Sequence, residues 1–222
     1  MKRNILARRA ASAALAACMM FSLSAPALAA STDALLQQST AAKSAVSVLD
    51  EENGMMEEEP AYQMNLKDGS IRVYIGDDGK QYAQQGENAP QQRGNLSITT
   101  NGSPTENTLT IEGGTIGAKV TLSNVNIETT SDAAVSVSGN VELIIAGTNT
   151  LHSGTGHAGV EKADDNGTLT ISGTGTGTLE AYGGQGGAGI GSGSQKGCSN
   201  IVIESGTITA HGGEWGAGIG SG

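Results

Sequence analysis

Aromatic side chains are scarce: the 222 residues include one Phe, four Tyr and one Trp, 3% in all. Large rings dominate the energetics of ordinary cores, so a ring-filled interior is excluded and any core has to be aliphatic and thin. Proline is as rare, with four residues against 34 glycines. Collagen requires Gly at every third position with abundant Pro. Here only Gly54, Gly69, Gly76, Gly79 and Gly86 precede Gly94, the others cluster irregularly, and Pro104 is the one proline among them. A collagen-like chain is excluded. Positive charge also fades along the chain, since from Gly94 onward there are Lys119, Lys162 and Lys196 and no Arg. Phosphate recognition relies on clustered Lys and Arg, so nucleic acid is not expected as a partner. Beyond the first thirty residues no stretch approaches the roughly 20 apolar residues that span a bilayer, and no membrane insertion is expected.

What is present begins with a leader. Lys2, Arg3, Arg8 and Arg9 precede an Ala-rich apolar run that closes at Ala27-Leu28-Ala29, the anatomy of a signal peptide over residues 1–29. A competing reading takes Leu15-Ala16-Ala17-Cys18 as a lipoprotein cleavage site. Either way the chain is expected to be secreted or at the cell surface. Loss of the leader changes the charge balance from 12 basic and 22 acidic residues, net -10, to 8 and 22, net -14. It also leaves Cys198 as the single thiol, so no intramolecular disulfide can form, and Cys198 reads as a passive loop residue. Residues 30–60 are small, polar and acidic, ending in Glu57-Glu58-Glu59, and read as a disordered linker. Residues 61–94 hold Ile71-Arg72-Val73-Tyr74-Ile75, alternating in period two, then the turn residues Gly76-Asp77-Asp78-Gly79. They read as an N-terminal hairpin or a first rung.

From Asn95 an internal repeat takes over. Gly187-Ala188-Gly189-Ile190-Gly191-Ser192-Gly193 recurs intact 29 positions later, ending at Gly222. Weaker copies stand at Ala158-Gly159-Val160 and Ala133-Ala134-Val135. Between these marks lie short runs with alternate apolar residues: Val141, Leu143, Ile145; Leu169, Ile171; Leu179, Ala181; Ile201, Ile203; Ile208, Ala210. Nothing there carries the helical period, and Gly costs a helix interior about 1 kcal/mol relative to Ala. Three short strands per repeat, joined by Gly-rich corners, predict an all-β parallel β-helix, a solenoid of about four coils over residues 95–222. The repeat breaks off at Gly222, which predicts an incomplete last coil and self-association through its open edge.

The segments Val120 through Ile127, Leu143 through Leu151, and the doubled GAGIGSG resemble bacterial extracellular carbohydrate-binding β-helix domains found on Gram-positive surface proteins. The resemblance covers roughly Ile71 to Gly222. It implies a right-handed parallel β-helix that binds acidic or plant-type polysaccharide, sometimes with calcium. No binding residue of the family maps onto this chain.

Other motifs point away from chemistry. Gly184 to Gly189 fits the G-x-G-x-x-G pattern, but the helix and later acidic residue of a dinucleotide site are missing. Neither GAGIGSG copy carries the Asp of a calcium-binding nonapeptide repeat. Asp164 and Asp165, before Asn166, are the candidate calcium ligands, with a plain solvated turn as the alternative. A hydrolase needs paired carboxylates, and none are spaced on one strand. A lyase of this fold commonly uses an Arg or Lys base, and the repeats hold no Arg. No enzyme is expected, and no obligatory cofactor.

One constellation emerges when the coils are aligned on Ala158, Ala188 and Ala217. Six positions earlier stand His152, Tyr182 and His211, and eight earlier stand Thr150, Glu180 and Thr209. In period two these share one face, while Asn149, Leu179, Ile208 and Leu151, Ala181, Ala210 point inward. Rings beside hydroxyls and a carboxylate are the mixture a sugar site needs, and Trp215 could extend the ring column. The expected function is non-catalytic binding of a polysaccharide or a host or plant glycan. The alternatives are a structural adhesin stalk and, behind it, a polysaccharide lyase or hydrolase.

Overall fold

The computed structural model describes residues 61–162 and 164–222; the leader, the linker and Cys18 lie outside the described residues. The described chain is all-β, with no α-helix and a single 3-10 turn, Leu66–Asp68. It opens with β1 (Tyr62–Asn65), β2 (Ile71–Ile75), β3 (Gln81–Gln85) and β4 (Gln91–Gln92). Strands then come in successive triplets: β5 (Leu96–Thr99), β6 (Pro104–Thr105) and β7 (Leu109–Glu112); β8 (Ala118–Ser123), β9 (Asn126–Glu128) and β10 (Val135–Ser138). The later triplets are β11 (Val141–Ala146), β12 (Thr148–His152) and β13 (Val160–Lys162); β14 (Leu169–Gly173), β15 (Thr178–Tyr182) and β16 (Ile190–Gly191); β17 (Ile201–Ile203), β18 (Thr207–His211) and β19 (Ile219–Gly220).

Each member of a triplet joins a different sheet. Sheet A runs β1-β5-β8-β11-β14-β17, sheet B runs β19-β16-β13-β10-β7-β2-β3-β4, and sheet C runs β18-β15-β12-β9-β6. Every pairing is parallel except β2 with β3 and β3 with β4. The chain thus returns to each sheet after every third strand, an arrangement compatible with a parallel β-helix. Five triplets are present, one more than the repeat marks suggest, because the corner after β6 has none of their Gly-Ala signature. The segment before Asn95 serves twice: β1 and β2 lie in parallel register on β5 and β7, while β3 folds back antiparallel on β2 and β4 antiparallel on β3.

Period two decides what each sheet buries. In sheet A, Leu96, Val120, Leu143 and Ile171 stack in register and are fully buried. In sheet B the stack is Ile71, Leu109, Val135, Val160 and Ile190. In sheet C it is Ile127, Leu151 and Ala181, then Ala210. Small aliphatic side chains fill the space between three close sheets, which is why the described residues manage without a Phe. Asn149 is a polar side chain buried behind sheet C, and its amide closes a corner. Its Oδ1 accepts from the Val125 N–H at 3.0 Å, and its Nδ2 donates to the Ala146 and Thr178 carbonyls at 3.0 and 3.1 Å. At the corner from sheet C to sheet B the coils approach so closely that a Cβ on Gly184 or Gly213 would land on the carbonyl of Gly154 or Gly184. The glycine clusters are therefore close-approach positions.

Candidate polysaccharide-binding face

The outward side of sheet C gathers the aligned residues. Register places Thr148, Thr178 and Thr207 in one row across β12, β15 and β18, then Thr150, Glu180 and Thr209, then His152, Tyr182 and His211. Asn149, Leu179, Leu151 and Ala181 point the other way and are buried. The three rings form a stack. His152 and Tyr182 have centroids 4.2 Å apart and planes 5° from parallel, and Tyr182 and His211 follow at 4.5 Å and 8°. Both faces of Tyr182 are thus covered by neighbouring imidazoles. What the column offers outward is ring edges, imidazole nitrogens and one hydroxyl. The Tyr182 hydroxyl donates to Glu180 Oε2 at 3.1 Å. That bond to a carboxylate holds the phenol above its usual pKa.

Two residues on this face escape the sequence alignment. β9 brings Asn126 opposite Thr150 and Glu128 opposite His152, so the second and third rows each extend by one strand. The corner from β9 to β10 is one residue shorter than its successors, and counting six back from Ala133 reaches the inward Ile127 instead.

Trp215 sits apart from the column, on the corner between β18 and β19, and is 80% exposed. Its φ is +69°, and the residues at the same corner of the two preceding coils are Gly156 and Gly186, with φ +83° and +77°. A left-handed conformation costs an L-residue roughly 1–2 kcal/mol. A bulky side chain there is unusual.

Asp164 and Asp165 do not converge on open space. Lys162, whose side chain is fully buried, stands in the inward register position held by Val137 in β10. Its Nζ donates to the Asp164 carbonyl at 2.7 Å, to Asp164 Oδ1 at 3.1 Å and to the Asn166 carbonyl at 2.9 Å. The oxygens that would ligate a cation therefore surround an ammonium. Asp165 lies on the surface, accepting from Ser199 Oγ at 3.3 Å. Burial pushes the Cys198 thiol up, which disfavours the reactive thiolate. A buried acid, Glu161, lies on the outer side of sheet B, where Oε2 meets His157 Nδ1 at 2.9 Å and the Ala158 N–H at 3.1 Å.

Two surface depressions, about 480 and 720 Å³, border the two-residue corner Gly139 and Asn140 between longer neighbouring corners. Neither includes a residue of the ring column. Small-molecule sites are concave; the sheet C face is flat and periodic, with coils about 4.8 Å apart, a shape that suits an extended polymer. Comparison with family models, curated proteins and solved structures finds no match to this chain.

Proposed function

We propose that the chain is a non-catalytic polysaccharide-binding module, secreted or displayed at the cell surface and built as a right-handed parallel β-helix. The observation that carries this reading is Trp215, a large exposed ring in a backbone conformation that glycine fills in the preceding coils. The fold recovers little from that side chain, so its use is outside the fold, and a flat indole is a platform for sugar C–H groups. The rows of Thr hydroxyls, Glu180 and the edges of the ring column supply hydrogen bonds along the same end of the molecule. The basic, Ala-rich leader supports export.

A structural stalk is the second reading, and the mutual stacking of His152, Tyr182 and His211 favours it, because rings that cover each other brace adjacent strands. A glycan array followed by calorimetry on the best hit separates the two. Tyr182→Ala and Trp215→Ala are each expected to weaken binding by about 1–3 kcal/mol, the scale of truncating an important contact. Unchanged affinity in the double variant returns the face to the stalk reading. Release of product from a polysaccharide on incubation would instead indicate a lyase or hydrolase.

A further inference from the structure

The charges on sheet C bear on which glycan it takes. Its outward side chains include Glu128 and Glu180, and β6, β9, β12, β15 and β18 contain no Lys or Arg. The flanking corners add Glu106, Asp132, Glu204 and Glu214, again with no Lys or Arg. The described cations are engaged or placed elsewhere. Arg72 pairs with Glu112, Lys119 with Glu142 and buried Lys162 with Asp164, while Lys196 lies 3.9 Å from Glu161. Lys67, Lys80 and Arg93 belong to the segment before β5.

We infer that the ligand of this face is a linear glycan bearing protonated amines, and that polyuronates and sulfated polymers are rejected. The inference rests on the proposed glycan-binding function and runs against the acidic polysaccharides that the family resemblance implies. Glu128 and Glu180 lie two strands apart, about 10 Å, close to the Debye length of about 8 Å at physiological salt. A polyanion laid along the coils meets each carboxylate with no Lys or Arg between to offset it, and such like-charge contacts exclude wrong partners. A polyamine meets them as ion pairs. Glu180 is exposed, and only its Oε2 is engaged by the Tyr182 hydroxyl among the described residues. Trp215 fits the same ligand, since indole is the best aromatic partner for a cation as well as a sugar platform.

The test is calorimetry on the full chain near neutral pH with three linear probes of equal length: a glucosamine oligomer, its fully N-acetylated form and a galacturonate oligomer. The amine probe is expected to bind about 5–10-fold tighter than the acetylated one, as the sum of a few exposed ion pairs, and this preference should shrink as salt is added. The uronate should give no heat. Glu180→Gln should lower the amine-to-acetylated ratio by roughly 3-fold, and Glu128→Gln with Glu180→Gln should remove most of it. Equal or stronger binding of the acetylated or uronate probe overturns the charge inference while leaving glycan binding in place. An amine preference that survives the double variant also overturns it. Absence of binding to all three probes overturns both the inference and the function on which it rests.

Discussion

Replacing Trp215 by Gly and, separately, by Ala turns the strain at that corner into a measurable sign. With the residue 80% exposed, about a fifth of its surface is covered. For a ring that buries roughly 150–250 Å² in full, this is ~40 Å², or about 1 kcal/mol at ~25 cal/mol/Å². Both variants lose that contribution. Alanine keeps the left-handed penalty of roughly 1–2 kcal/mol. Glycine sheds it, and gives back about 0.4–1 kcal/mol through the larger entropy of its unfolded chain. The Gly variant should therefore be more stable than the Ala variant by ~0.5–1 kcal/mol and within about 1 kcal/mol of the parent. At an ordinary strand or helix position the order is reversed. Urea unfolding with a shared m-value resolves the difference. An Ala variant as stable as the Gly variant, or more so, would refute the claim that Trp215 is held against its backbone preference.

Leu179→Ala, at a fully buried position, should cost about 2–5 kcal/mol in chemical denaturation, whereas Tyr182→Ala on the opposite face of the same strand should cost well under half as much. Asn149→Ala leaves the Val125 N–H and the Ala146 and Thr178 carbonyls without their side-chain partner, a loss of at least ~1–3 kcal/mol. Hydrogen exchange should show it first at the corner between β11 and β12. In a spectroscopic titration Tyr182 should ionise above the usual tyrosine value, and Glu180→Gln should bring its midpoint down. Because the folded pKa is the higher one, the stabilisation is complete below the unfolded value near ~10 and is lost as pH rises through the folded value. A Tyr182 midpoint that Glu180→Gln leaves in place would contradict the hydrogen bond as the cause.

The strand pattern was legible because alternation survives in short segments. Leu179 and Ala181, or Leu169 and Ile171, declare their buried side without help from neighbours. The doubled GAGIGSG then fixed which strands stack, and with them the row of His152, Tyr182 and His211. Corner length is what the sequence hides. Asn126 and Glu128 belong to the same rows but follow a shorter corner, so a constant offset slips them by one residue and reverses their side. Mutual coverage of the rings was equally hidden, since spacing places side chains on a face and says nothing of how they turn toward each other. Lys162 shows a further limit. Period two puts it inside with Val137, composition rejects a buried ammonium, and only the carbonyls of Asp164 and Asn166 reconcile the two.

The ammonium of Lys162 acts at its corner as a counter-ion that cannot diffuse away. A bound divalent ion would tie the loop around Asp164 and Asn166 to the ion's concentration in the surrounding solution, and dilution or a chelator would loosen it. A tethered cation has no dissociation constant to satisfy. The loop oxygens of Asp164 and Asn166 are therefore held by a charge that belongs to the chain itself.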